Sequence, residues 1–112
     1  MRGRRASSLL RAPVLLRGIR LGEVERILLD PDSPRILGLD VLCGDGWNRF
    51  LPFSTVRLAG RGIEIDSALT MLDSRELAFY VSRSRSLAAV AELADAVVGV
   101  GGALVVPLGT PC

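Results

Sequence analysis

The sequence predicts a mainly β protein in which a small antiparallel β-barrel is followed by one or two short helices and an apolar β-rich tail. Short apolar runs recur across residues 13–72, and glycine, proline or aspartate separates them. Helix-forming composition appears only after residue 72, and the end of the chain is rich in valine and glycine. With 112 residues and 49% hydrophobic content, the chain is apolar enough to form one packed domain.

The barrel is predicted over residues 13–72 from short strands separated by turns. The clearest strand covers residues 35–43, and one of its faces carries Leu37, Leu39, Val41 and Cys43. Two prolines and two aspartates at residues 30–34 predict a turn before it, and Gly-Asp-Gly at 44–46 predicts a hairpin tip after it. The other strands are expected at residues 14–20, 23–30, 47–53, 55–58 and 63–66. Closing the sheet would remove its free edges.

Helices are predicted only in the following segment, residues 73–95. Asp73 is followed at the third position by Glu76, which is the pattern of a capping box at a helix start. Residues 86–94 contain strong helix formers after an N-cap serine and predict a second helix. Residues 96–112 predict an apolar β-rich tail that turns at Gly101 and Gly102. Because this tail is similar in composition to residues 12–16, we interpret it as the start of a truncated second barrel copy.

The charge of the chain is uneven. Residues 1–20 carry six arginines and no acid (+6), and the rest carries eight arginines against twelve acids (−4), which gives the net charge of +2. Residues 1–12 therefore predict a basic, disordered arm. Because a guanidinium group can fork onto phosphate oxygens, the candidate phosphate-binding residues are Arg2, Arg4, Arg5 and Arg11. The simpler interpretation is an arm that is only solvated.

The composition argues against an enzyme. The chain has no histidine, so it lacks the commonest general base and metal ligand. Cys43 lies in a predicted strand, where a small apolar packing role is expected, and two cysteines suit a reducing compartment. Motifs for a phosphate-binding loop or a zinc site are absent from the sequence. We predict no catalytic residue, cofactor, metal, small-molecule substrate or membrane-spanning segment, and a cytoplasmic location.

Four sequence features in a fixed order resemble the PRC-barrel domain family. They are the glycine-led apolar run at residues 21–31, the strand at 35–41, the Leu-Pro step and Val-Arg segment at 50–57, and the last strand at 62–65. Pro34 departs from the pattern, since family members often have glycine there. The resemblance covers residues 14–70 and implies a docking or assembly module without chemistry of its own.

The function predicted from these features is non-catalytic binding of a protein partner or of a second copy of the chain. An unpaired apolar strand would favour strand addition or burial in a dimer. The candidate partner-binding residues are Trp47, Arg49, Val97, Val98, Val100, Leu104, Val105 and Val106. The alternative is an RNA- or ribosome-associated factor that uses the arginine-rich arm, and such binding would weaken steeply with salt.

Overall fold

The computed structural model describes residues 4–60, 62–90 and 93–105. Most strands join into one curled sheet, a half-barrel, and one α-helix packs on its outside. The helix α1 is Ser74–Arg83. The strands are β1 (Pro13–Leu16), β2 (Ile19–Leu29), β3 (Ile36–Cys43), β4 (Asn48–Pro52), β5 (Val56–Ala59), β6 (Gly62–Ile65), β7 (Arg85–Ser86), β8 (Val97–Val98) and β9 (Leu104–Val105). Short 3-10 turns cover Ala6–Leu9, Phe53–Thr55, Ala68–Thr70, Leu87–Ala89 and Val100–Gly102.

The strand order of the large sheet is β4-β3-β2-β1-β6-β5, and the short β7 pairs with the end of β2. Neighbouring strands are antiparallel except β1 and β6, which run parallel. Within the described residues, β4 and β5 form the two ends of this order and do not pair with each other. The mainly β fold class is confirmed, but the sheet curls without closing through a hydrogen-bonded β4–β5 seam.

The concave side of the sheet carries the main core. Successive strands contribute side chains with no more than 1% exposure: Val14, Val24, Ile27, Leu39, Val41, Leu51 and Ile63. Alternation places them there, because successive residues of a strand point to opposite faces. Burial of each such side chain contributes about 1.5–3 kcal/mol.

The convex side of the sheet is covered by α1. Asp73 caps the helix, because its carboxylate accepts hydrogen bonds from the backbone N–H groups of Arg75 (3.0 Å) and Glu76 (3.2 Å). The Tyr80 ring stacks on Phe50 of β4 with a centroid separation of 4.1 Å. Gly38 makes room for that stack, since a Cβ atom there would collide with the Phe50 ring.

One carboxylate lies buried on the sheet. Asp40 of β3 accepts hydrogen bonds from Arg26 Nε (2.7 Å) and Asn48 Nδ2 (2.8 Å), so its burial is compensated. Asn48 also donates to Glu25 (2.8 Å). This cluster links β2, β3 and β4 on the side opposite the main core.

The predicted disordered arm is wrong for residues 4–12. Ala6, Leu9 and Ala12 recur every third residue and are all buried in the main core. The backbone is also held, because Ala6 N–H donates to the carbonyl of Ala96 (2.8 Å) and Arg11 N–H to that of Val24 (2.8 Å). Apolar spacing within a basic segment therefore orders the described part of the arm.

The second predicted helix, at residues 86–94, is also wrong where the structure describes it. Ser86 pairs with Leu28 as part of β7, and Leu87 enters the main core. Only the short 3-10 turn Leu87–Ala89 follows. Strand pairing and core burial outweigh the local helix propensity of this alanine-rich segment.

The tail forms the predicted hairpin, but its strands are not an unpaired edge. Val98 N–H donates to the carbonyl of Arg4 (2.7 Å), and Leu104 N–H donates to that of Pro34 (2.8 Å). Val98 and Leu104 are buried in the main core. Gly102 has φ of +85° and lies so close to Phe53 that a Cβ would approach that ring to 2.8 Å. The prediction of a free strand is therefore wrong for residues 97–105.

Candidate interaction surface

Three turns meet at one end of the half-barrel, which we call the groove end. They are the β1–β2 turn at residues 17–18, the β3–β4 hairpin at 44–47 and the turn at 66–71 after β6. Gly44 N–H donates to the carbonyl of Leu21 (3.0 Å), which joins the hairpin to the start of β2. Leu16 pairs with Ile65 in the parallel ladder, so the turn after β6 begins beside the β1–β2 turn.

A groove of about 290 Å³ lies between these turns. Its lining residues are Leu21, Cys43, Gly44, Asp45, Arg49, Ala68 and Met71. Leu21 and Met71 also pack against the main core, so the groove floor is continuous with the protein interior. Cys43 is buried there, and its Sγ lies 3.8 Å from the Val41 carbonyl, consistent with the predicted packing role.

Each of the three turns places one large apolar side chain in solvent. Ile19 beside the β1–β2 turn is 66% exposed, Trp47 of the hairpin 63%, and Leu69 of the third turn 89%. Single exposed apolar residues are ordinary on protein surfaces, whereas a larger apolar patch is typical of an interaction site. These three residues do not line the groove themselves, but each lies within two residues of one that does, so this end of the half-barrel is the candidate interaction surface.

The hairpin that carries Trp47 is fixed by an ion pair. Arg49 donates two hydrogen bonds to the Asp45 carboxylate (3.1 and 2.9 Å), and Trp47 N–H donates to Asp45 Oδ1 (3.0 Å). The Arg49 guanidinium, followed by the Trp47 N–H, holds the pKa of Asp45 below its ordinary value. Hydrogen bonding to Asp45, and then to Cys43, raises the pKa of Arg49. The paired charges rigidify the hairpin tip.

The two sides of the groove end carry opposite charge. On the β1–β2 side, Arg20 lies 3.0 Å from the Glu23 carboxylate. Arg11 lies 3.9 Å from the same carboxylate, but it lines a separate pocket with Glu23 and Glu25. Among the described residues, no carboxylate lies within ion-pair distance of Arg17.

On the β5–β6 side, Arg57 contacts Asp66 at 2.8 Å and Glu64 at 3.4 Å. Attraction by Asp66, followed by the hydrogen bond that Arg57 donates to Glu64, raises the pKa of Arg57. One cation thus faces two carboxylates on this side.

The structure separates the two predicted partner-binding sets. Trp47 and half-buried Arg49 lie at the groove end, after β3. The tail hairpin packs at the other end of β3, where Gly102 approaches the carbonyl of Ile36. In that hairpin Val97 is half-buried, Val98 and Leu104 are buried, Val100 is 96% exposed and Val105 is 55% exposed. Val106 lies outside the described residues.

The predicted phosphate-binding arginines do not form one cluster in the described residues. Arg4 is half-buried and donates to the Gly62 carbonyl (3.2 Å). Arg5 is exposed and lies 4.0 Å from Asp95, and Arg11 lies 3.9 Å from Glu23. Arg2 lies outside the described residues.

Sequence reasoning missed Ile19, Leu69 and Arg17 at the groove end. Ile19 and Leu69 stand beside turns in apolar runs, where a sequence pattern assigns them to the core. Arg17 precedes Gly18, and this pair between two β-rich segments was the available signal of a two-residue hairpin turn.

Within the described ranges, no group of three or more Cys, Asp or Glu side chains is arranged to hold a metal ion. No helix in the described part of the chain has the length and apolar character needed to cross a bilayer.

The fold and the groove define a small β half-barrel domain with an apolar recess at one end. The family model of the PRC-barrel domain matches residues 1–70. The match covers more than half of the chain, so this protein belongs to the PRC-barrel domain family. Comparison with curated proteins gave no match.

Proposed function

We propose that this chain is a non-catalytic docking module that binds a partner protein through the groove end. The observation that carries the proposal is the grouping of exposed Ile19, Trp47 and Leu69 around one apolar groove. PRC-barrel domains often mediate protein interactions and are generally non-catalytic, which agrees with a chain that has no histidine. Buried apolar anchors contribute most of the energy in many interfaces.

The groove end supports this function better than the tail hairpin does. Val98 and Leu104 already serve the protein's own core, so they are not available to a partner. Val100 and Val105 are exposed, but neither lines the groove between the three turns. Trp47 and Leu69, by contrast, flank a recess that an apolar side chain could fill.

An RNA- or ribosome-associated role is supported less well. Arg4, Arg5 and Arg11 each have a contact within the protein, and these contacts are made with three different segments of the chain, at Gly62, Asp95 and Glu23. A cytoplasmic location and an origin of the tail in a second barrel copy stay predictions.

The test is affinity capture with the full chain from a lysate of the cells that produce it. We expect a specific bound protein that Trp47→Ser/Leu69→Ser no longer retains. The matched variant Val100→Ser/Val105→Ser removes exposed apolar surface at the tail hairpin and should retain the partner. Loss of the partner with the tail variant alone would move the docking site to the tail, and equal retention by both variants would contradict the proposal.

A further inference from the structure

We propose that the groove end recognises an acidic, apolar segment of its partner protein, whose carboxylates pair with Arg17 and Arg20. This inference rests on the proposed docking function and adds the chemistry of the partner. Three observations carry it: the backbone conformation at Arg17, the balance of charge around the groove, and the apolar residue between the two arginines.

Arg17 occupies a backbone position that suits other residues better. It has φ of +51° and Gly18 has φ of +82°, and the two lie between the paired residues Leu16 and Ile19. A two-residue hairpin turn with positive φ at both positions favours Asn-Gly. A left-handed conformation is unfavourable for a residue with a long side chain such as arginine. Arginine is therefore not a residue that this turn favours, and Arg17 is exposed at its tip with no ion pair to a described carboxylate.

The charge around the groove is positive on the side of this turn. Arg17 and Arg20 stand at or beside this turn with one carboxylate, Glu23, which leaves a net charge of +1 there. The Asp45–Arg49 pair is neutral, and Arg57 between Glu64 and Asp66 leaves −1 on the opposite side. A bound segment is therefore attracted when its carboxylates lie toward the β1–β2 turn.

Ile19 lies between Arg17 and Arg20 in sequence and is largely exposed. When a partner covers Ile19, water leaves the neighbourhood of both guanidinium groups, and their pairing with carboxylates becomes stronger. Arginine forms two parallel hydrogen bonds with a carboxylate. A partner segment that combines large apolar side chains with adjacent aspartate or glutamate would therefore both cover the apolar surface and pair with the two arginines.

A peptide fits this surface better than a nucleic acid does. Base stacking needs several exposed aromatic rings beside cations, and the described groove end offers only Trp47. The carboxylates of Glu64 and Asp66 would also repel a phosphate backbone that crosses the groove.

The test uses a random peptide library displayed on phage and selected on the immobilised full chain. We expect the bound peptides to combine large apolar residues with an excess of aspartate and glutamate. A labelled peptide from this set should bind Arg17→Asn/Arg20→Gln about tenfold more weakly than the parent chain, and its affinity should fall with salt. Asparagine suits the turn, so this variant should unfold at no lower urea concentration than the parent.

The matched control is Arg5→Gln/Arg83→Gln, which removes the same amount of charge away from the groove and should bind the peptide normally. Selected peptides without excess acid, or equal binding by Arg17→Asn/Arg20→Gln, would overturn the acidic specificity. If Trp47→Ser/Leu69→Ser still abolished binding in that case, the docking function would stand. Preferential binding of a single-stranded oligonucleotide, or a dimer that Trp47→Ser/Leu69→Ser dissolves, would assign the groove to another occupant and overturn the inference.

Discussion

Asp45 shows how a single exposed side chain can organise a surface turn. Its carboxylate accepts the Trp47 N–H and two bonds from Arg49, so the hairpin tip has a fixed shape although it is in solvent. Exposed ion pairs contribute little to folding stability on average, but an arginine that forms two hydrogen bonds with one carboxylate is among the more stabilising pairs. The pair therefore keeps Trp47 beside the groove.

The pH dependence of this pair follows from its lowered carboxyl pKa. In the unfolded chain Asp45 takes up a proton near the ordinary value of about 3.9, whereas in the folded chain it resists protonation to lower pH. The unfolded state thus binds more protons in this window, so folding stability is lost as pH falls through the folded pKa. We expect Asp45→Asn to unfold at lower urea concentration than the parent at pH 7, and the difference to shrink in strongly acidic buffer.

Urea titrations of both chains across the acidic range measure this difference. Arg49→Gln breaks the same pair from the other side and should show the same convergence at low pH. A gap between parent and variants that stays constant down to the acid limit would contradict a stabilising role of the Asp45 charge.

Sequence alternation located most core residues of β3 but could not identify their partners. Leu39, Val41 and Cys43 face the main core as predicted, whereas Leu37 packs near Phe50 on the other side. The cause is a register irregularity where β2 meets the start of β3, between Leu28 and Leu29. Leu28 pairs with Gly38 and Leu29 with Ile36, so Leu37 is the extra residue of a β-bulge in β3 itself, and alternation alone does not reveal where such a residue is inserted.

At the scale of elements, the two predicted helices differ in their capping and in their surroundings. The Asp73 cap is a local signal, and α1 follows it. Residues 86–94 also favour a helix by composition. Ser86 instead pairs with Leu28 of β2, and Leu87 packs in the main core. Only tertiary contacts distinguish the two segments.

The tail hairpin offers a test of element docking through two adjacent residues of β9. Leu104 is buried in the main core, whereas its neighbour Val105 points to solvent. We expect Leu104→Ala to lower the free energy of unfolding by about 2–5 kcal/mol. Val105→Ala should change it by no more than about 0.5 kcal/mol. Urea unfolding measures both values, and similar small effects would mean that the hairpin is not part of the folded core.

At the scale of the whole molecule, one core joins the beginning of the described chain to its end. Ala6 and Leu9 lie in the same cluster as Val98 and Leu104, with the sheet between them in sequence. The described parts of the arm and the tail thus share the core of the half-barrel, whereas Leu77 of α1 packs in a second cluster with Leu28 and Phe50. A shared core favours cooperative unfolding.

Native-state hydrogen exchange tests this cooperativity. The N–H groups of Val98 and Leu104 donate to Arg4 and Pro34, and that of Val24 donates to Ala12. We expect the opening free energies of these three amides to agree within about 1 kcal/mol, because all open only when the core does.

The amide of Leu69, in the exposed third turn of the groove end, serves as the internal control and should exchange much faster. Exchange of Val98 and Leu104 at a rate close to that of Leu69 would show that the tail opens independently of the barrel.

The sequence by itself determined the mainly β class, the strands β3 to β6, the cap of α1 and the membership suggested by four ordered motifs, but it placed the turn between β1 and β2 after residue 20 instead of at residues 17–18. These features depend on neighbours along the chain, through alternation, turn chemistry and local hydrogen bonds. Only the tertiary structure decided that residues 4–12 of the arm are packed, that the tail valines are divided between core and surface, and that the segments carrying Ile19, Trp47 and Leu69 meet at one end of the half-barrel. Those features depend on which distant segments meet, and a linear pattern of apolar residues is the same whether its surface is covered by the protein itself or left for a partner.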